Sequence, residues 1–98
     1  MTTFCFDIDG TLCSQVSGDY TKAEPFVARI TEVNRLRSAG HQIKLFTARG
    51  ATSGIDWASR TESQLASWGL HYDELIFGKP HADVYIDDKA IHPDTYFS

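Results

Sequence analysis

Four acidic residues stand in two short groups, Asp7-Ile8-Asp9-Gly10 near the start of the chain and Asp87-Asp88 near its end. Thr47 closes the apolar run Ile43–Phe46, and Lys79 follows Leu75-Ile76-Phe77. Carboxylates crowded together repel unless a cation sits among them. Oxygen donors without His or Cys suit Mg²⁺ rather than zinc. A carboxylate beside such an ion can attack phosphorus and form an acyl phosphate. A second carboxylate two residues on can move the proton, while a hydroxyl and an ammonium offset charge on the phosphoryl oxygens.

These residues act together only if the fold gathers them. Phe4, Cys5, Phe6 and Ile8 read as a buried strand halted at Asp9-Gly10. Residues 11–23 read as a loop or short hairpin. Pro25 suits the first position of a helix that carries Phe26, Val27, Ile30, Val33 and Leu36 and stops at Gly40. Ile43, Leu45 and Phe46 make a second strand, and residues 48–55 a loop. A second helix runs from about Asp56, with Trp57, Leu65 and Trp68 on its apolar side, and stops at Gly69. Leu75–Phe77 make a third strand, Val84–Ile86 a fourth, and Ile91–Ser98 a turn or short helix. The order predicts a single α/β domain over residues 1–98, with a mostly parallel sheet of about four strands flanked by helices. In such a sheet, ligands bind outside the carboxyl ends of the strands. Asp7, Asp9, Thr47, Lys79, Asp87 and Asp88 each follow a strand, so they converge on one rim.

Asp7-Ile8-Asp9-Gly10-Thr11-Leu12 resembles the first signature of the haloacid-dehalogenase-like (HAD) hydrolase superfamily. Thr47, Lys79 and Asp87-Asp88 resemble its second, third and fourth motifs, in order. Gly18-Asp19-Tyr20, Phe46-Thr47-Ala48-Arg49, Tyr72-Asp73-Glu74-Leu75, Gly78-Lys79-Pro80 and Tyr85-Ile86-Asp87-Asp88-Lys89-Ala90 are similar to short phosphatases of capsule and surface-polysaccharide biosynthesis. The resemblance implies a Rossmann-like HAD core and a Mg²⁺-dependent phosphomonoester hydrolase acting through an aspartyl-phosphate on Asp7. Asp9 would be its acid and base. Thr47 and Lys79 would serve catalysis and hold the phosphoryl group. The Asp7 side chain, the Asp9 carbonyl and Asp87, with Asp88 directly or through water, would hold the metal. Residues 10–23 offer only a short flap and residues 48–78 hold a loop, a helix and a strand, so no cap domain is expected. An uncapped rim in turn suggests a homo-oligomer.

The chain has 98 residues, a net charge of −4, 42% hydrophobic and 22% charged residues, which suits one globular domain. The acidic balance argues against a nucleic-acid partner or an anionic membrane and fits a small phosphorylated substrate. No stretch is long enough for a membrane span, and the N-terminus enters structure at once, which suggests a cytoplasmic protein without a leader. Cys5 and Cys13 suggest no disulfide framework, and Cys5 reads as a buried thiol. Arg49 suits either a second anionic group of the substrate or an ion pair. His41, His71, His81 and His92 read as surface or capping groups. Two other readings stay open beside a sugar-phosphate phosphatase: a polynucleotide 3′-phosphatase and a non-catalytic HAD-like binding module. A response-regulator receiver is disfavoured, because there the acidic pair comes first and the phosphorylated Asp third.

Overall fold

A computed structural model describes residues 1–50 and 57–98. The element order is β1 (Thr3–Phe6), a 3₁₀ turn (Tyr20–Lys22), α1 (Val27–Ser38), β2 (Gln42–Thr47), α2 (Trp57–Ser67), β3 (Glu74–Phe77) and α3 (Pro93–Tyr96). The strands lie in the order β1-β2-β3, all parallel. Phe4 is level with Ile43, Phe6 with Leu45, and Leu45 with Leu75.

Side chains alternate across a strand, and here the alternation is visible in β2: Ile43, Leu45 and Thr47 are buried, Gln42, Lys44 and Phe46 only partly so. Consecutive parallel strands joined by right-handed crossovers place both connecting helices on one face. The core confirms that arrangement. Ile30, Val33 and Leu36 of α1 and Leu65 of α2 pack with Phe6, Ile8, Ile43 and Leu45 in one cluster. Trp57, Thr61 and Leu65, four residues apart, form the buried stripe of α2. Leu65 is fully buried, so Leu65→Ala should cost about 2–5 kcal/mol, read as a lower urea midpoint with an unchanged slope.

Side chains also stand in for missing backbone partners. Asp73 accepts from the Ile43 N–H at 2.8 Å and from Arg37 Nε at 3.1 Å, bracing the start of β2 against α1. The Ile43 N–H and Arg37 together hold its carboxyl below the usual range. Asn34 of α1 donates to the Gly69 carbonyl and accepts from the His71 N–H, both at 2.8 Å. At the end of α1, Gly40 takes φ +99°, a conformation that costs a side-chain-bearing residue energy, and the His41 N–H returns to the Leu36 carbonyl.

The fold departs from the sequence reading in three places. Pro25 is not the first helical residue. Cys13 bridges Pro25 antiparallel, and the Phe26 N–H donates to the Leu12 carbonyl, which keeps 24–26 extended until α1 starts at Val27. Cys5 is exposed, because β1 turns Phe4 and Phe6 to the core and Cys5 to the other face. The sheet has three strands among the described residues, not four. Val84 and Ile86 are 71% and 95% exposed, and no strand forms over Val84–Ile86. The expected loop 48–55 and the helix start at Asp56 fall largely on residues 51–56, outside the described residues.

Candidate active site

Asp7 leaves the end of β1, and the chain turns sharply behind it. The Thr11 and Leu12 N–H groups donate to the Ile8 carbonyl, and Gly10 adopts φ +83° while its N–H donates to Cys13. Ile8, Leu12 and Cys13 are fully buried and anchor this turn from below. A Cβ at Gly10 would stand 3.1 Å from Gln15 Oε1 besides forcing a strained backbone, so the position suits glycine.

Asp7 and Lys79 meet on the rim. The Lys79 N–H donates to the Thr47 carbonyl at 3.2 Å, which docks the residue after β3 onto the end of β2. Its Nζ then lies 3.5 Å from Asp7 Oδ1 and 4.3 Å from the centre of the Tyr85 ring. Burial raises the Asp7 carboxyl above its usual range, and the neighbouring Lys79 cation opposes that shift. Thr47 is 1% exposed, and its Oγ1 accepts from the Arg49 N–H at 3.1 Å. That bond shapes the turn out of β2 and leaves the hydroxyl proton free to donate.

Asp9 points to a different set of partners. Arg49 Nε donates to Asp9 Oδ2 at 2.9 Å and Arg49 Nη2 to Asp9 Oδ1 at 2.8 Å, a two-point ion pair between nearly inaccessible side chains. Arg49 Nη1 donates to Gln64 at 2.7 Å and Thr61 at 3.3 Å, both on α2. The guanidinium also lies 4.7 Å from the centre of the Tyr20 ring, which meets Trp57 edge-on. Gln64 closes this circuit by donating to the Tyr20 carbonyl. At 3% exposure Arg49 serves an ion pair, the second of its two sequence-based roles. Gln64, Thr61 and Tyr20 belong to this network too. Their partners are remote in sequence, and no motif marks them. A pocket of about 290 Å³ opens beside them, lined by Tyr20, Thr21, Arg49, Trp57, Arg60, Ser63 and Gln64.

Asp87 and Asp88 are exposed. The Lys89 N–H donates to Asp87 at 2.9 Å and draws its carboxyl below the usual range. Among the described residues, no three His, Cys, Asp or Glu side chains are grouped to hold a metal ion. The side chains of Asp7, Asp9, Asp87 and Asp88 are thus not drawn into one group among the described residues. The Asp9 side chain is engaged by Arg49, whereas the ligand expected from Asp9 is its carbonyl oxygen.

No family model matches the sequence, and no curated protein matches it. Solved structures do. A crystal structure of an MCSG target from Vibrio cholerae is 28% identical, with a TM-score of 0.88, and the match covers 100% of this chain and 89% of that one. A D,D-heptose 1,7-bisphosphate phosphatase from B. bronchiseptica, complexed with magnesium and phosphate, is 21% identical with a TM-score of 0.61 over 92% of this chain. A Pnkp1/Rnl/Hen1 complex contains a chain 19% identical, with a TM-score of 0.64 over 89% of this one. This chain spans 54% of the heptose-bisphosphate phosphatase and 30% of the chain in that complex. The architecture is a Rossmann-like α/β core that shares its fold with these structures, with an Asp–Lys pair on the carboxyl rim of its sheet. Among the described residues, no helix is long and apolar enough to cross a membrane.

Proposed function

We propose that this protein hydrolyses phosphomonoesters at the rim, with Asp7 as the nucleophile. The observation that carries this reading is the Asp7–Lys79 pair at 3.5 Å, which joins the carboxyl ends of β1 and β3 across β2. An Asp7 oxygen bonds to phosphorus as the ester P–O bond breaks, giving an aspartyl-phosphate and an alcohol. Water then attacks phosphorus, which frees orthophosphate and restores the carboxylate. Lys79 offsets negative charge on Asp7 and the phosphoryl oxygens, and the Thr47 hydroxyl adds a donor beside them.

Asp9 carries the proton in this scheme, to the leaving oxygen and then from water. Both Asp9 oxygens accept from Arg49, which fixes the orientation of the carboxyl while each oxygen keeps a second lone pair for a proton. Arg49 is thus a positioning residue that orients Asp9. The substrate class we favour is a small sugar or polyol phosphate. The acidic chain favours it over an oligonucleotide, and so does the resemblance to polysaccharide-biosynthesis phosphatases. Mg²⁺ held by the Asp7 side chain, the Asp9 carbonyl and Asp87, with Asp88 directly or through water, would offset charge on the phosphoryl oxygens.

The test is turnover of a generic aryl phosphate, then of small sugar phosphates against 3′-phosphorylated oligonucleotides. Sugar phosphates should lead by at least about tenfold in kcat/KM, about 1.4 kcal/mol at the transition state. Chelation with EDTA should abolish turnover and Mg²⁺ restore it. No turnover of any ester would leave the binding-module reading, and an oligonucleotide preference would favour the 3′-phosphatase.

A further inference from the structure

Two unmet features of the chain complement each other. β1 lies at the edge of the sheet, and among the described residues no backbone hydrogen bond joins residues 3–7 to anything on its outer side. Purely parallel sheets are normally covered, and open edges are normally protected. Elsewhere, Val84-Tyr85-Ile86 has the composition of a buried strand yet stands in solvent, on an arm over 80–91. The arm is tied at both ends. Tyr85 donates to the Pro80 carbonyl and packs on Lys79 at its start. At its finish, Tyr96 and Phe97 of the α3 region pack on Phe4 and Phe6, while Asp94 pairs with Arg29 at 2.9 Å.

The arm cannot readily serve its own β1. Parallel strands need a crossover of about a dozen residues or more, and only residues 78–83 separate β3 from Val84. A second copy has no such limit. We propose that two copies exchange these arms, each adding Val84–Ile86 as a parallel strand on the open edge of the other's β1. Side-chain alternation selects the register. With Tyr85 level with Cys5, Val84 and Ile86 face the core side beside Phe4 and Phe6, and Asp87 arrives level with Asp7. A one-residue slip would turn both apolar residues outward. The exchange brings together acidic groups that one chain holds apart, and in that part it rests on the phosphatase reading. The rim is completed by the second copy.

The experiment uses Tyr85→Cys with the native Cys5. Neighbouring strands about 4.8 Å apart fall within disulfide reach. Oxidation should give a species of twice the 11.0 kDa chain mass on a non-reducing gel, lost when Cys5→Ser is added. A bridge within one chain, no bridge, or a dimer band that survives Cys5→Ser would overturn the exchange. The last result would mean that the arms pair with each other. Sedimentation supplies an independent reading: a dimer for the unaltered chain at micromolar concentration, and a monomer for Ile86→Asp. Ile86 is exposed in one chain, so an unchanged mass for Ile86→Asp would refute the docking. Neither readout uses turnover, so a dimer without turnover refutes only the phosphatase reading. If the unaltered chain turns over, co-expressed Asp7→Asn and Asp87→Asn chains should recover about a quarter of its activity through mixed dimers. No recovery would mean that the arm does not complete the site.

Discussion

Replacing Asp7 by Asn is expected to lower phosphomonoester turnover by at least about 10³-fold, about 4 kcal/mol in the barrier. The amide keeps the carboxyl's shape but has no anionic oxygen to bond to phosphorus, so the loss should appear in kcat. Stability should hardly move. The Asp7–Lys79 pair is long and partly exposed, which limits its worth to about 1 kcal/mol or less. Burial already disfavours the charged carboxylate, and a neutral amide escapes that penalty. The measurement is steady-state turnover of protein free of contaminating phosphatase, with a urea titration beside it. Retention of more than about 5% of activity by a fully folded variant would remove Asp7 as the nucleophile.

Arg49→Ala should produce the largest loss of stability in the chain, about 3–5 kcal/mol. Removing the guanidinium leaves the Asp9 carboxylate nearly inaccessible without its counter-charge, and it also strands Thr61 and Gln64. Native domains are stable by only about 5–15 kcal/mol, so the variant should unfold at a much lower urea concentration. Arg49→Lys should recover little, because an ammonium cannot supply the two-point bond to Asp9 while also reaching α2. The double variant Arg49→Ala with Asp9→Asn should be more stable than Arg49→Ala alone, since no buried charge then remains unpaired. If Arg49→Ala shifted the urea midpoint by no more than an exposed substitution, the pair would not be a structural tie.

Much of this was legible in the chain because strand ends carry their own punctuation. Asp7, Thr47 and Lys79 each follow an apolar run, and a parallel sheet delivers such residues to one edge whatever their separation in sequence. The alternation within β1 and β2 was less visible. Cys5 was read as buried because a short apolar run does not say which face each residue takes until its neighbours are known. The Arg49–Asp9 pair spans 40 residues and rests on two turns, neither of which has a compositional signature. The fourth strand failed for a different reason. Val84-Tyr85-Ile86 has the right residues, but strand formation also needs a reachable edge, and the short connection after β3 withholds it. Pro25 obeyed a similar rule, with hydrogen bonds to 12–14 overriding its preference for the first helical turn.

The Asn34 bridge bears on how the molecule loosens. Its amide holds the chain on both sides of Leu70, the segment that leads from α2 into β3, while its own backbone lies midway along α1. Fraying of the C-terminal turn of α2 must therefore break contacts made from another helix, and so must any slippage of α1 along its axis. The two βα units then melt as one cooperative body, while the arm over 80–91, whose finish is held to α1 only through the Arg29–Asp94 pair, can loosen separately.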